Sequence, residues 1–542
     1  MEDRLSTVKV LEHCRISPPA DTVPVATLPL NFFDYLWLTF HPLGRVLFYD
    51  FPHSTSHFIH HTVPNLKTSL SLALKHFTPL AGNLIVSSNT NSNTNYVIRY
   101  LDGDSVSVTF AECTDDIDYG NHVRDANMLN TFVPQLPSAT SVDISGEKCS
   151  VAPVFAIQVT VFPGRAICIG IRNAHAVADG SSLFNFARAW ASITKKVNLL
   201  DTKNNISDLI TSEGFQIPSY DRSSIQDPCD LGTMYLKAQG ARVKKQVEKA
   251  LPQMESVDDS SKRKVKATFT VTEAKIKALK SMISTERPTL AYLSSLTSVC
   301  AYLWTCFAKT RATVWGVEHN LDECQHFIFA MDCRARLDPP LPASYFGNCL
   351  VPCCGALTGR ILVGDEGLAA AAEVLGNSVS VKLEKGPLHG SDMFLDEYAG
   401  TMRGEWTIGI AGSPKLDYYN NIDFGWGKPL KFEFVQEPLS ISRSKDSNAD
   451  LEIANDEKVA ESYRQTAWKP KFDVKKGKQK AEEETSCLSD SLKGFQATPK
   501  VSVKPAKEEV TEASNNGEDS SEEKERNEYT TAAPRRRTRL ED

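Results

Sequence analysis

The 542-residue sequence predicts an α/β protein with two folded domains and a charged, disordered tail. Three observations carry this prediction. Strand-like apolar runs alternate with helix-like periodic segments along most of the chain. The length exceeds what one hydrophobic core usually supports, so two or more domains are expected. After residue 453 charged residues become frequent and branched apolar residues become rare, which is typical of disorder.

The first predicted domain covers residues 1–195. Apolar side chains recur at helical spacing between 64 and 78, and Pro79 ends this predicted helix. Alternating or continuous apolar runs between polar loops indicate strands. The strands expected on this basis lie at residues 83–86, 96–100 and 105–112.

A strand–turn–helix unit closes this first domain. Residues 166–171 form an Ile-rich run typical of a buried strand, and the serines at 181–182 are expected to cap the helix that follows. The turn between them carries His175 and, four residues later, Asp179. A neutral imidazole accepts a proton from a hydroxyl near pH 7, and packing at a strand end holds it in place. The pattern makes His175 a candidate general base and Asp179 its structural support, although a packed histidine before an ordinary Asp-Gly turn has the same pattern.

The second predicted domain covers residues 231–453 and follows a polar crossover linker at 196–230. Its opening residues, 231–250, are expected to form an exposed polar segment. Hydrophobic periodicity predicts the remaining elements. The helices are expected at 272–283, 293–307 and 365–383, and the strands at 265–271, 327–331, 345–354 and 406–410.

Composition and charge exclude several classes of protein. The net charge of −7 argues against a nucleic-acid partner. The N-terminus lacks the apolar core of a signal peptide, and no run is long enough to span a membrane, so we expect a cytoplasmic protein. The 13 cysteines are scattered without zinc-ligand spacing, which predicts reduced thiols and no metal site.

Two motifs stand far apart in the chain: His175-Ala-Val-Ala-Asp179-Gly and Asp423-Phe-Gly-Trp-Gly427. In sequence and order they resemble the two characteristic motifs of the plant BAHD family of CoA-dependent acyltransferases. The resemblance extends over about residues 5–453. Tyr345-Phe-Gly-Asn-Cys349 is similar to the motif of the branch that acylates flavonoid, anthocyanin and other phenolic glycosides. Further matches are Phe33-Asp-Tyr-Leu-Trp37, Thr78-Pro-Leu-Ala-Gly-Asn83 and Asp332-Cys-Arg-Ala-Arg-Leu-Asp-Pro-Pro340.

The resemblance implies two domains of the chloramphenicol acetyltransferase type, each a mixed β-sheet with helices, and an active channel at their interface. Malonyl-CoA would donate its acyl group to a sugar hydroxyl of a phenolic glycoside, with His175 as general base. The chain lacks a Gly-x-Ser-x-Gly elbow, a Walker loop and a dinucleotide fingerprint, so we expect direct transfer without an acyl-enzyme. A monomer without a tightly bound cofactor is expected.

Further site residues follow from the same resemblance. Asp179 is predicted to pair with Arg334, because a buried carboxylate without a cation is costly. The motif Asp423 to Gly427 is expected to be mainly structural. Gly425 and Gly427 permit a tight turn, and the motif also contains Phe424 and Trp426, of which Trp426 is expected to be buried.

Four other residues are predicted to contact the substrates. Trp37 is expected to line the acceptor pocket, since flat aromatic rings suit phenolic ligands. Ser413 and Lys415 lie in a stretch similar to one common in glycoside malonyltransferases. Lys415 or Arg172 would meet the malonate carboxylate or a CoA phosphate.

Two alternatives stay open at this point. Hydroxycinnamoyl-CoA is the second choice of donor, because branch motifs do not fix the size of the acyl group. The resemblance also stops at Ile453, where the family continues with one more strand and a closing helix, and residues 454–542 form the unrelated tail. A fusion protein with impaired catalysis, acting as a binding or scaffold protein through that tail, is the third interpretation.

Overall fold

The computed structural model describes most of the chain before residue 457, and all described residues lie within one compact unit that spans 1–495. The described ranges are 8–87, 96–115, 123–125, 128–144, 146–199, 215–238, 264–314, 321–392, 407–435, 439–443 and 449–456. The predicted α/β architecture is present. Within these ranges, no helix is both long and apolar enough to cross a membrane.

The elements follow the predicted alternation. The strands are β1 (Val8–Ile16), β2 (Ala26–Pro29), β3 (Leu43–Asp50), β4 (Asn83–Ser87), β5 (Tyr96–Tyr100), β6 (Val106–Cys113), β7 (Val123–Asp125), β8 (Thr140–Ile144), β9 (Glu147–Pro153), β10 (Phe155–Phe162), β11 (Ala166–Asn173), β12 (Lys264–Val271), β13 (Cys324–Asp332), β14 (Leu350–Thr358), β15 (Thr407–Ile410), β16 (Lys431–Val435), β17 (Leu439–Arg443) and β18 (Ala449–Asp456). Besides a helical segment at 231–238, the helices are α1 (Phe32–Tyr35), α2 (Thr55–His57), α3 (Val63–His76), α4 (Thr78–Ala81), α5 (Gly180–Leu199), α6 (Glu273–Glu286), α7 (Ser295–Val314), α8 (Gly359–Val363), α9 (Gly367–Lys385) and α10 (Tyr418–Asn421).

A six-stranded mixed sheet, in the order β1-β6-β10-β11-β3-β16, carries the central strand–turn–helix unit. All residues of β10 and β11 are buried, because apolar clusters cover both faces of the sheet. A strand buried on both faces reads as a continuous apolar run, which is why residues 166–171 were recognisable in the sequence.

The two predicted domains exchange strands. The late strand β16 pairs with β3 in the six-stranded sheet, with Phe432 opposite Leu47. The early strand β7 pairs with β12, with Arg124 opposite Lys266, in the four-stranded sheet β17-β18-β12-β7. The sequence predicted a division between 1–195 and 231–453, and these two strand pairings cross that division in both directions.

Three predicted segments differ in the structure. Residues 345–349 form a loop before β14 instead of a strand; Gly347 has a φ of 143° there, a backbone conformation that favours glycine. Residues 231–238 are helical and bury Leu231 and Tyr235, so this part of the expected polar segment packs on the core. Strand β18 continues to Asp456, past the predicted start of the tail, because its pairing with β12 continues as far as Lys264. The rest of the predicted tail lies outside the described residues.

Candidate active site

The turn that carries His175 is short and fully packed. Strand β11 ends at Asn173, a 3-10 turn covers His175–Val177, and α5 begins at Gly180. The carboxylate of Asp179 accepts a hydrogen bond from the Ser182 backbone N–H at 3.0 Å. Asp179 therefore caps α5, and the prediction of a serine cap was wrong. The Ser182 hydroxyl instead donates to the Gly347 carbonyl at 3.0 Å.

Two aromatic side chains pack against the ring of His175, a residue that is 7% exposed. The indole of Trp37 stacks on the imidazole with ring centroids 3.8 Å apart and planes 5° from parallel. Phe40 meets the same imidazole edge-on at 5.7 Å. Trp37, which was expected to line the acceptor pocket, thus contacts the candidate base itself.

Asp179 and Arg334 form a buried ion pair. The Nη1 atom of Arg334 lies 2.8 Å from Asp179 Oδ2, and its Nη2 atom lies 3.0 Å from Oδ1. Burial alone would raise the pKa of the Asp179 carboxyl, but Arg334 and two backbone N–H groups outweigh it and hold the pKa below its usual value. Arg334 also contacts Asp332, at 2.7 Å. Sequence spacing alone could not place these residues side by side.

The loop at 345–349 holds the turn that carries His175 in place. Its Cys349 N–H donates to Asp179 Oδ2 at 3.1 Å. The Asn348 side-chain amide donates to the His175 carbonyl at 2.9 Å. The motif at 345–349, which was associated with the class of acceptor, therefore contacts the turn that carries His175 and supports its backbone.

Sequence reasoning missed a second, largely buried ion pair beside this loop. Asp34 is fully buried, and its Oδ2 lies 2.6 Å from Arg222 Nη1. Its Oδ1 accepts hydrogen bonds from the backbone and side-chain N–H groups of Asn348, at 3.1 and 3.0 Å. Arg222 lies in the predicted linker, where polar composition concealed its burial. The one local signal was the spacing of Asn31 and Asp34, which form a helix capping box.

Arg172 occupies the penultimate position of β11, three residues before His175. Its side chain is buried, and its Nε and Nη2 atoms have no hydrogen-bond partner among the residues that the structure describes. Burial lowers the pKa of the guanidinium to about 10, so it remains charged at neutral pH. A buried cation without a carboxylate is costly, which makes Arg172 a candidate anion-binding group.

Lys415 and Ser413 lie in a turn near the start of α5. Lys415 is exposed, and its backbone N–H donates to Ser413 Oγ at 3.3 Å. The neighbouring Leu416 packs closely against Gly180, where its Cδ1 would lie 3.1 Å from a β-carbon. The turn therefore borders the start of α5, with the Lys415 side chain accessible to solvent.

The motif beginning at Asp423 is a tight turn. Asp423 Oδ1 accepts the backbone N–H groups of Gly425 and Gly427 at 2.8 and 2.9 Å. Both glycines have positive φ values, 96° and 85°, which side chains disfavour. Asp423 also pairs with Lys195 of α5 at 2.7 Å.

The aromatic residues of this turn anchor it to the core. Phe424 is buried and meets Trp190 of α5 edge-on at 4.9 Å. Trp426, which was expected to be buried, is only partly buried and packs edge-on against Tyr49 of β3 at 5.5 Å. The turn thereby joins α5 to the six-stranded sheet, which favours the structural role.

Comparisons with known proteins show the family and the fold. A model of the Transferase family matches residues 6–437. The malonyl-coenzyme A:anthocyanin 3-O-glucoside-6''-O-malonyltransferase of Dahlia pinnata is 37% identical over 460 residues, covering 83% of this chain and 94% of the relative. Phenolic glucoside malonyltransferase 1 of Nicotiana tabacum is 38% identical over 429 residues, covering 79% and 89%. The crystal structure of vinorine synthase shares the fold, with a TM-score of 0.57 at 20% identity, covering 84% of this chain and 96% of that one.

Proposed function

This chain belongs to the BAHD family of CoA-dependent acyltransferases, and we propose that it moves a malonyl group from malonyl-CoA to a sugar hydroxyl of a phenolic, flavonoid or anthocyanin glycoside. The observation that carries the proposal is the buried His175 at the end of β11, stacked on Trp37 and beside the Asp179–Arg334 pair. We also propose that the chain is a cytoplasmic monomer without a tightly bound cofactor. Light scattering of the purified chain tests the oligomeric state.

In the proposed reaction His175 acts as general base. Its neutral imidazole accepts the proton of the glycoside hydroxyl while that oxygen attacks the thioester carbonyl carbon. A tetrahedral oxyanion forms and collapses, the carbon–sulfur bond breaks, and the CoA sulfur leaves with the proton that the imidazolium returns. The products are the malonyl ester and free CoA. No serine or cysteine nucleophile is needed, because the hydroxyl of the acceptor attacks directly.

We propose that Arg172 selects the malonyl donor. Its buried guanidinium lacks a hydrogen-bond partner at two nitrogens among the described residues, and the malonate carboxylate would supply the missing negative charge. Arginine binds a carboxylate through paired N–H groups in a fixed geometry. A coumaroyl group has no carboxylate to offer. The exposed Lys415 is better suited to meet a CoA phosphate.

A donor panel tests this proposal. The full-length chain is assayed with malonyl-, acetyl- and coumaroyl-CoA and one anthocyanin or flavonol glucoside. We expect malonyl-CoA to give the highest kcat/KM. Arg172→Gln is expected to lower kcat/KM for malonyl-CoA about 100-fold, the equivalent of ~3 kcal/mol for a lost charged hydrogen bond, and to change acetyl-CoA much less.

Arg360→Gln is the matched control, because Arg360 is an exposed arginine paired with Asp322 at 2.7 Å. It should leave all three donors unchanged. A preference of the wild-type chain for coumaroyl-CoA would contradict the choice of donor. An equal loss for malonyl- and acetyl-CoA in Arg172→Gln would contradict the role of Arg172.

A further inference from the structure

On the side of the loop at 345–349, His175 belongs to a closed circuit of contacts with Trp37, Asp34 and Asn348. We propose that Asn348, anchored by Asp34, is a positioning residue that fixes the His175 imidazole against Trp37. The inference rests on the proposed acyl transfer, because it assigns these residues to the orientation of the general base. Neither side chain needs to touch substrate for this role.

The Asn348 side chain is fully buried and its amide is fixed in orientation. Its Nδ2 atom donates one hydrogen bond to the His175 carbonyl at 2.9 Å and another to Asp34 Oδ1 at 3.0 Å. Both hydrogens of the amide are therefore committed. The backbone N–H of Asn348 donates to the same Asp34 oxygen at 3.1 Å. These hydrogen bonds fix the position of the His175 backbone relative to Asp34 of α1.

Asp34 is itself held from the other side. Its Oδ2 accepts the backbone N–H of Asn31 at 3.1 Å and pairs with Arg222 at 2.6 Å. The carbonyl oxygen of Asp34 accepts the Trp37 backbone N–H at 3.0 Å. One helical turn thus supplies both the indole that stacks on the imidazole and the carboxylate that anchors Asn348.

The circuit closes at His175. Asp34 holds Trp37 through the backbone, Trp37 stacks on the imidazole, and Asn348 links the His175 carbonyl back to Asp34. A base held at both its ring and its backbone cannot rotate away from the attacking hydroxyl. A displacement of about 1 Å from the reactive position costs about 100-fold in rate, which is the effect expected when the Asn348 amide is removed.

The experiment compares Asn348→Leu, which keeps the shape of the side chain and removes both donors, with Asn348→Ala as the second variant. Tyr235→Phe is the matched control, since its buried hydroxyl donates to the Ser391 carbonyl at 3.1 Å and neither residue belongs to the circuit. For each full-length protein we would measure the melting temperature, kcat and both KM values. An imidazolium stacked on an indole quenches its fluorescence. We would therefore follow the indole emission against pH, and a step present in the wild type and absent from His175→Ala would report the stack without any substrate.

In both Asn348 variants we expect the emission step to weaken, and kcat to fall about 100-fold with both KM values within about twofold of wild type. Tyr235→Phe should lower the melting temperature and leave kcat and the step unchanged. An Asn348 variant that keeps the wild-type step, or loses no more kcat than the control, would overturn the proposal. So would a wild-type protein without the step. If no acyl-CoA donor supports transfer, the proposed function fails, and the emission step alone still decides whether Asn348 holds the stack.

Discussion

Removing one member of the Asp179–Arg334 pair at a time should give unequal losses of stability. In Arg334→Met the buried Asp179 carboxylate loses its ion-pair partner and keeps two backbone N–H donors. In Asp179→Asn the guanidinium keeps Asp332 at 2.7 Å. Breaking a buried pair costs about 3–5 kcal/mol. We expect Arg334→Met near the upper end of that range and Asp179→Asn near the lower end.

The double variant should lose less than the sum of the two. Once Arg334 is gone, replacing the Asp179 carboxylate with an amide removes an unpaired buried charge, so the second substitution costs little. Coupling energies between contacting residues reach about 0.5–3 kcal/mol, and we expect about 2 kcal/mol here because two short contacts join the side chains. Domains are stable by only about 5–15 kcal/mol, so each single variant should remain folded yet measurably weakened.

Urea unfolding of the four full-length proteins, followed by circular dichroism, measures these differences. Additive losses, with a coupling below about 0.5 kcal/mol, would refute the reasoning. So would Asp179→Asn losing more stability than Arg334→Met, because that order would mean that Asp332 does not compensate.

Two further predictions concern Asp423 and the pH dependence of the contribution of Asp179. Asp423→Ala should lower the free energy of unfolding by about 1–3 kcal/mol, since a partly exposed ion pair and two backbone hydrogen bonds are lost. Its kcat per folded molecule should stay within about twofold of wild type; a well-folded inactive variant would contradict the structural role. The pKa of Asp179 is lower in the folded protein, so its stabilisation is present above the pKa of an unfolded aspartate, about 4, and is lost as the pH falls below it. The stability difference between wild type and Asp179→Asn should therefore shrink below about pH 4, and a difference independent of pH would contradict this.

Local patterns in the sequence predicted the central unit well. The buried strand before His175, the helix after it and the long helix α7 follow from the continuous or periodic apolar runs that burial on two faces or on one face requires. The proximity of Asp179 and Arg334 came from the family resemblance, since no periodicity links residues 155 positions apart. The pairing of β7 with β12 and of β16 with β3 could not be predicted for the same reason.

The supports of the turn that carries His175 could not be predicted from local sequence. Asp34 and Asn348 are separated by 314 positions. The residue type alone does not show whether an aspartate is buried or exposed. Arg222 looked like part of a polar linker because its burial depends on Asp34, which lies elsewhere in the chain. The cap of α5 was misassigned because Asp179 and the serines after it are all good cap residues, and only the geometry distinguishes them.

The rate of malonyl transfer by His175→Ala tests the central claim most directly. The full-length variant and the wild-type chain would be compared at saturating malonyl-CoA and glucoside, with circular dichroism to show equal folding. General-base catalysis contributes about 100- to 10,000-fold, so we expect the variant to lose at least about 100-fold in kcat and to keep the wild-type melting temperature within a few degrees. A folded His175→Ala protein that keeps more than about a tenth of the wild-type rate would contradict the account, because the proton would then have another acceptor.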